Sequence, residues 1–223
     1  INTGAGADII TIGTAGHGNS DTIDGGDDAD VLQLSTGAHA FADNNKLQNV
    51  ETVKTHSSGS EVTLANQTEA FAITGGDGVD IITGGDGVDT IAGGGEVDTI
   101  VGGAGNDIIT GGAGNDIITG GSGLDNLEGG SGNDTFNIDA AYDTITDLGG
   151  DSGTDSDIVV IANVAILNAT DIIGFTATSG TSNAGTATFN LKAGGVRTLD
   201  LSSATGAGSF ILKGNSGKDS ITG

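Results

Sequence analysis

The sequence predicts an all-β chain wound as a parallel β-solenoid, a stack of short strands closed by tight loops. Three observations carry this. Seven nonapeptides follow one another without a gap from Gly75 to Asn137. Glycine makes up 43 of the 223 residues and proline none, so backbone positions with special dihedrals recur throughout. Outside the tandem block, short apolar or alternating runs are divided by Gly, Ser, Asn and Asp, which is the texture of short strands.

The tandem block reads GGDGVDIIT, GGDGVDTIA, GGGEVDTIV, GGAGNDIIT, GGAGNDIIT, GGSGLDNLE and GGSGNDTFN. Its sixth position is always aspartate: Asp80, Asp89, Asp98, Asp107, Asp116, Asp125 and Asp134. Its eighth is always large and apolar: Ile82, Ile91, Ile100, Ile109, Ile118, Leu127 and Phe136. Side chains alternate across a strand, so position eight points inward and its two neighbours point out. Three residues centred there make a very short strand, and the first six reverse the chain. Glycines supply positive φ at little steric cost and leave backbone carbonyls uncovered. The aspartate then places a short carboxylate at the end of the loop. Calcium takes about six to eight oxygens from carboxylates, carbonyls and water. One nonapeptide supplies too few, and two stacked loops supply enough. With two nonapeptides per turn, Asp80, Asp98, Asp116 and Asp134 line one edge, and Asp89, Asp107 and Asp125 the other. Rungs lie ~4.8 Å apart, so the bare carboxylates repel and a cation between them reverses that sign. The stack is therefore expected to be folded with calcium and expanded without it.

Weaker copies flank the block. TGAGADIIT contains Asp8 and Ile10, GHGNSDTID keeps Asp21 and Ile23, GGDDADVLQ keeps Asp30 and Leu32, and the terminal GNSGKDSIT keeps Asp219 and Ile221. The chain divides accordingly. Residues 1–33 are repeat-like rungs, 34–74 a β-solenoid segment without calcium loops, and 75–137 the tandem roll. Residues 138–213 are a β-rich cap or further non-repeat rungs, and 214–223 open another repeat. Segment 34–74 contains VETVKT, EVTLA and FAIT. Segment 138–213 contains DTITDL, DIVVIA, ATFNL, RTLDL and SFILK. These runs read as short strands; there is no strong helix pattern, and only AYDTITDL and NVAILNATDII leave room for a helical turn or two. Repeat-like sequence at both ends predicts a piece of a longer protein.

Charge narrows the partners. Asp and Glu number 30 against 6 Lys and Arg, for a formal charge of -24. That excludes nucleic acid, which needs clustered basic residues, and points to divalent cations. Cysteine is absent, so there are no disulfides or thiolate metal sites. No apolar run is long enough to span a membrane. His17, His39 and His56 are isolated, without an HExxH pattern, and read as solvated loop residues. No GxSxG or GxxxxGK[ST] motif is present, so no catalytic residue is assigned. Ser122 and Ser131 are loop spacers. The run Asp24, Asp27 and Asp28 either extends a calcium site or faces solvent. The same two readings apply to Asp139, Asp143, Asp147, Asp151, Asp155 and Asp157, which follow the block.

The nonapeptide resembles the RTX repeat, GGxGxDxUx, of secreted bacterial proteins. The resemblance implies a right-handed parallel β-roll with calcium-binding nonapeptide loops, export by a type I secretion system, and folding outside the cell. It also implies a ligand set, namely the position-six carboxylates and the carbonyls of loop positions one to four. In the tandem block these loop residues are Gly75, Gly76, Asp77 and Gly78; Gly84, Gly85, Asp86 and Gly87; Gly93, Gly94, Gly95 and Glu96; Gly102, Gly103, Ala104 and Gly105; Gly111, Gly112, Ala113 and Gly114; Gly120, Gly121, Ser122 and Gly123; and Gly129, Gly130, Ser131 and Gly132. The metal-ligating aspartates are the seven of the block with Asp8, Asp21, Asp30 and Asp219. Glu96 departs from the glycine rule, and its carboxylate is a substitute ligand for a carbonyl. Same-edge pairs with flanking repeats give roughly six to ten calcium ions, of extracellular affinity near ~0.1–1 mM.

The phrases LQNVETVKT and VRTLDLSSATGAGSFILKGNSGKDSITG resemble segments of calcium-dependent bacterial surface-layer proteins. That resemblance implies a non-enzymatic structural segment at the cell surface, assembling with copies of itself in a lattice or fibre. Cell-surface polysaccharide is a further partner on this reading. The alternatives are a spacer or secretion module of a large adhesin, and the C-terminal module of a secreted enzyme.

Overall fold

In a computed structural model the described residues are 1–13, 22–41, 43, 46–139, 143–148, 157–162, 166–172, 174–176, 181–191, 197–201, 204–213 and 219–222. Every regular element among them is a strand, and all strand pairing is parallel. Among the described residues no helix is long and apolar enough to cross a membrane.

Two parallel sheets carry the structure. The first contains Ile9–Ile12, Val31–Leu34, Thr52–Lys54, Ala72–Gly76, Thr90–Gly95, Ile108–Ala113, Asn126–Ser131, Asp143–Ile145, Ile166–Ile172, Thr186–Leu191 and Ser209–Lys213. The second contains Gly37–Ala40, Ser60–Thr63, Ile81–Thr83, Thr99–Ala104, Ile117–Ser122, Thr135–Ile138, Ile158–Ile161 and Ser182–Asn183. Consecutive strands of the tandem block alternate between sheets, so one turn uses two nonapeptides. Thr90 pairs Ile108 on the first sheet, and Thr99 pairs Ile117 on the second. Segment 34–74 contributes strands to both sheets.

The core is two in-register apolar columns. Leu32, Val53, Ile73, Ile91, Ile109, Leu127 and Ile145 stack on the first sheet. Val62, Ile82, Ile100, Ile118, Phe136 and Val159 stack on the second. All are buried, and each contributes ~1.5–3 kcal/mol by leaving water. His39 heads the second column, paired with Val62. It is fully buried, and its Nε2 donates to the Ser35 carbonyl at 3.0 Å. The expectation of a solvated loop histidine is therefore corrected for His39. His56 is exposed, and His17 lies outside the described residues.

The strands are longer than a three-residue reading. Thr90–Gly95 runs from position seven of one repeat to position three of the next. Its inward residues are Ile91 and Gly93, so position-one glycine faces the interior beside position eight. Among the described residues the strand reading holds over the allowance for a helical turn. DTITDL and NVAILNATDII contribute the strands Asp143–Ile145 and Ile166–Ile172, because ladder bonds to neighbouring rungs outweigh local propensity.

Segment 34–74 closes its turns with side chains. Gln67 is fully buried. Its Nε2 donates to the Phe41 and Asp43 carbonyls, each at 2.6 Å.

Candidate metal centre

The position-six aspartates form two hydrogen-bonded columns. Asp98 Oδ1 accepts the Asp80 N–H at 2.8 Å, Asp116 Oδ1 that of Asp98, and Asp134 Oδ1 that of Asp116. On the other edge Asp107 Oδ1 accepts from Asp89 at 2.9 Å, and Asp125 Oδ1 from Asp107 at 2.8 Å. Each link joins residues 18 apart. A short side chain is required, since it must turn back onto the rung before it without leaving the interior.

One oxygen of each of these carboxylates is thereby used, and in most of them the other is stranded. The Oδ2 atoms of Asp8, Asp30, Asp80, Asp98, Asp107, Asp116, Asp125 and Asp143 are buried without a hydrogen-bond partner. Asp89 Oδ2 accepts the Gly85 N–H at 2.9 Å. Position-one glycine shows what each stranded oxygen faces. A Cβ built on Gly93 would lie 2.4 Å from Asp98 Oδ2 and 2.7 Å from the Gly111 carbonyl oxygen. On Gly102 the same test meets Asp107 Oδ2 at 2.4 Å and the Gly120 carbonyl at 2.5 Å. A carboxylate oxygen and the carbonyl one rung on thus crowd a single point, which only glycine leaves open.

Burial pushes these carboxyl groups up. For Asp98, Asp107, Asp134 and Asp143 the values reach about 7; desolvation is the main cause, and neighbouring carboxylates of the columns add to it. Asp80, Asp89, Asp116 and Asp125 are raised as well, again chiefly by desolvation. Buried unpaired charge is costly, and the remaining donors are hard oxygens. That donor set fits calcium. Among the described residues no three His, Cys, Asp or Glu side chains gather at one point. The candidate centre offers single carboxylates and backbone carbonyls instead.

The other expected residues fall as follows. Gly75, Gly84, Gly93, Gly102, Gly111, Gly120 and Gly129 are buried beside the carboxylates. Asp77, Asp86, Ala113, Ser122 and Ser131 are exposed at the turns. Glu96 is exposed too, with φ 66°, so its backbone follows the left-handed path of glycine while its side chain faces solvent. Asp30 is buried, and its Oδ1 accepts the Asp8 N–H at 2.7 Å. Asp21 lies outside the described residues, and Asp219 lies in the strand Asp219–Thr222. Asp27 and Asp28 are exposed, whereas Asp24 accepts from the Asn2 and Asn49 amides, each at 2.8 Å.

Four acidic residues outside the nonapeptides bond to the columns: Asp143, Asp147 and Asp157, for which the sequence leaves two readings open, and Glu51, which lies outside the expected set. Asp143 Oδ1 accepts the Asp125 N–H at 3.2 Å, and Asp157 Oδ1 the Asp134 N–H at 3.0 Å. Asp147 takes the Gly129 and Gly130 N–H groups at 3.0 and 2.6 Å. Glu51 Oε2 accepts the Asp30 N–H at 2.7 Å. Asp143 keeps the 18-residue interval without a glycine pair before it, a signal present in the sequence. Asp151 and Asp155 lie outside the described residues.

The RTX calcium-binding nonapeptide repeat family (4 copies) matches residues 15–38, 73–100, 92–127, 101–136 and 110–145. No curated protein and no solved structure matches the chain. RTX nonapeptides bind calcium, and proteins that carry them are typically secreted. Across residues 15–38 and 73–145, less than half of its length, this chain carries RTX calcium-binding nonapeptide repeats.

Proposed function

We propose that the chain is a structural segment of a secreted bacterial surface protein that folds on binding calcium and assembles with copies of itself. The stranded, buried carboxylate oxygens of the two columns carry this reading. Calcium would be held between successive rungs by the position-six carboxylates and the carbonyls of loop positions one to four. Each ion would convert a repulsive stack into an attractive one and couple local binding to global folding. Roughly six to ten such ions, each divalent, would offset most of the formal charge of -24. The chain's contribution is then mechanical, a stiff rod whose faces are offered to neighbours. No catalytic role is assigned.

Negative-stain electron microscopy of the purified chain, with millimolar calcium and with chelator, tests this. Sheets or filaments that appear only with calcium are expected. Isolated calcium-dependent rods would favour a spacer in an adhesin or an enzyme appendage. Order unchanged by exhaustive chelation would overturn the calcium reading.

A further inference from the structure

We propose that the half-site of the flanking nonapeptide Gly25–Gln33, which contains the expected ligand Asp30, is completed as a cation site by the turn Asn49–Glu51, from a segment that itself carries no nonapeptide. The proposal rests on the calcium reading of the central columns, because its argument is a comparison with them.

In the tandem block, a Cβ on Gly75 would meet the Gly93 carbonyl at 2.0 Å and Asp80 Oδ2 at 2.8 Å. A Cβ on Gly25 would meet the Asn49 carbonyl at 2.0 Å and Asp30 Oδ2 at 2.5 Å. The same two kinds of oxygen converge at the same point. Asp30 is fully buried and its Oδ2 has no hydrogen-bond partner, so an unpaired carboxylate oxygen is already aimed into the space. The surrounding bonds match as well. Thr55 Oγ1 donates to the Gly75 carbonyl and Thr3 Oγ1 to the Gly25 carbonyl, both at 2.5 Å. The Asp80 N–H is taken by Asp98 Oδ1 at 2.8 Å, and the Asp30 N–H by Glu51 Oε2 at 2.7 Å.

The tripeptide Asn49-Val50-Glu51 therefore supplies both parts that a nonapeptide spreads over its first and sixth positions. Glutamate's extra methylene spans what the shortened loop leaves. Asn49 adopts φ 51°, and its amide donates to Asp24 Oδ1 at 2.8 Å, which holds the direction of its carbonyl. The column ends there. On the next rung of this edge buried Phe71 stands where a carboxylate would, and its N–H donates to Asp89 Oδ1 at 2.8 Å. Asp8, Asp30 and Glu51 thus form a short column insulated from the central one. Its donors are carboxylate and carbonyl oxygens, which selects a hard divalent cation such as calcium.

The experiment is equilibrium dialysis of the full chain against calcium, with hydrogen exchange read separately over residues 22–54 and over the tandem block. Asp30→Asn should bind at least one ion fewer and lose calcium-dependent protection over 22–54, with the block still protected in the same sample. Glu51→Gln should weaken that site about tenfold. Asp107→Asn serves as the reference for the central columns. If Asp107→Asn loses an ion while Asp30→Asn and Glu51→Gln keep full stoichiometry and protection, the Asp30 site is wrong and the central reading stands. If none of the three loses an ion, both fail. The tandem block's protection reports whether each variant is folded, so misfolding is not mistaken for loss of the site.

Discussion

Asp107→Asn exchanges one buried oxygen for an NH2 group and deletes one charge at nearly constant volume. The Oδ1 acceptor for the Asp89 N–H, at 2.9 Å, is retained. The altered atom is Oδ2, which with the Gly120 carbonyl crowds the space over Gly102. Without calcium an amide there donates to that carbonyl, where the carboxylate only repels it. The Asp107 carboxyl is pushed up to about 7, against an ordinary 3.8. At ~1.4 kcal/mol per tenfold change this sets a ceiling of ~4 kcal/mol for keeping it ionised above that range. Solvent screening reduces the figure to ~1–2 kcal/mol, and the new hydrogen bond adds ~1 kcal/mol. The calcium-free fold should therefore gain ~2–3 kcal/mol. With calcium the sign reverses, because a charged oxygen ligand has become a donor. Circular dichroism follows both arms. In chelator the variant should fold at a higher pH than the parent. At neutral pH it should need several-fold more calcium to fold. A variant that is destabilised in chelator would refute the claim that Oδ2 is uncompensated in the metal-free chain.

Three further outcomes are expected. In chelator the parent should gain structure on acidification. Carboxyls raised from 3.8 to about 7 bind more protons folded than unfolded across that window, so stability falls as pH rises through it; a calcium-free chain indifferent to pH between those values would contradict this. Gly111→Ala places a Cβ 2.4 Å from Asp116 Oδ2 and 2.7 Å from the Gly129 carbonyl, whereas on Gly95 the nearest atoms lie at 3.6 Å. The first should cost ~1–3 kcal/mol in thermal unfolding with calcium and the second under ~0.5 kcal/mol, and equal costs would discredit the crowding argument. Gln67→Ala strands the Phe41 carbonyl at ~1–3 kcal/mol, while the Asp43 carbonyl keeps the Lys46 N–H, and saturating calcium should not rescue the loss.

The tandem rungs were legible because period, glycine pair and inward aliphatic all point to one register. Position eight forms the columns, and position six forms the edges. Glu51 was not legible, and Asp157 was legible only as one of six acidic residues with two open readings. Their column partners lie 21 and 23 residues away, intervals set by loop packing rather than by a local period. His39 sits in GAHA, where nothing in the sequence separates an inward polar residue from an exposed one. Strand length was underread for a related reason. Glycine disfavours strands in isolation, yet Gly94 pairs Gly112 and Gly76 across neighbouring rungs, and the ladder extends through it.

A stack that places 18 residues on each central rung has a consequence under load. Tension along the axis peels rungs in series, from an end, rather than shearing all of them at once. Each central rung released lengthens the chain from ~4.8 Å to ~60 Å. Ions held between rungs as proposed would set the force at which this happens, and rewinding in calcium would restore the length. The segment would then act as a shock absorber, yielding in discrete steps whose height follows the salt composition outside the cell.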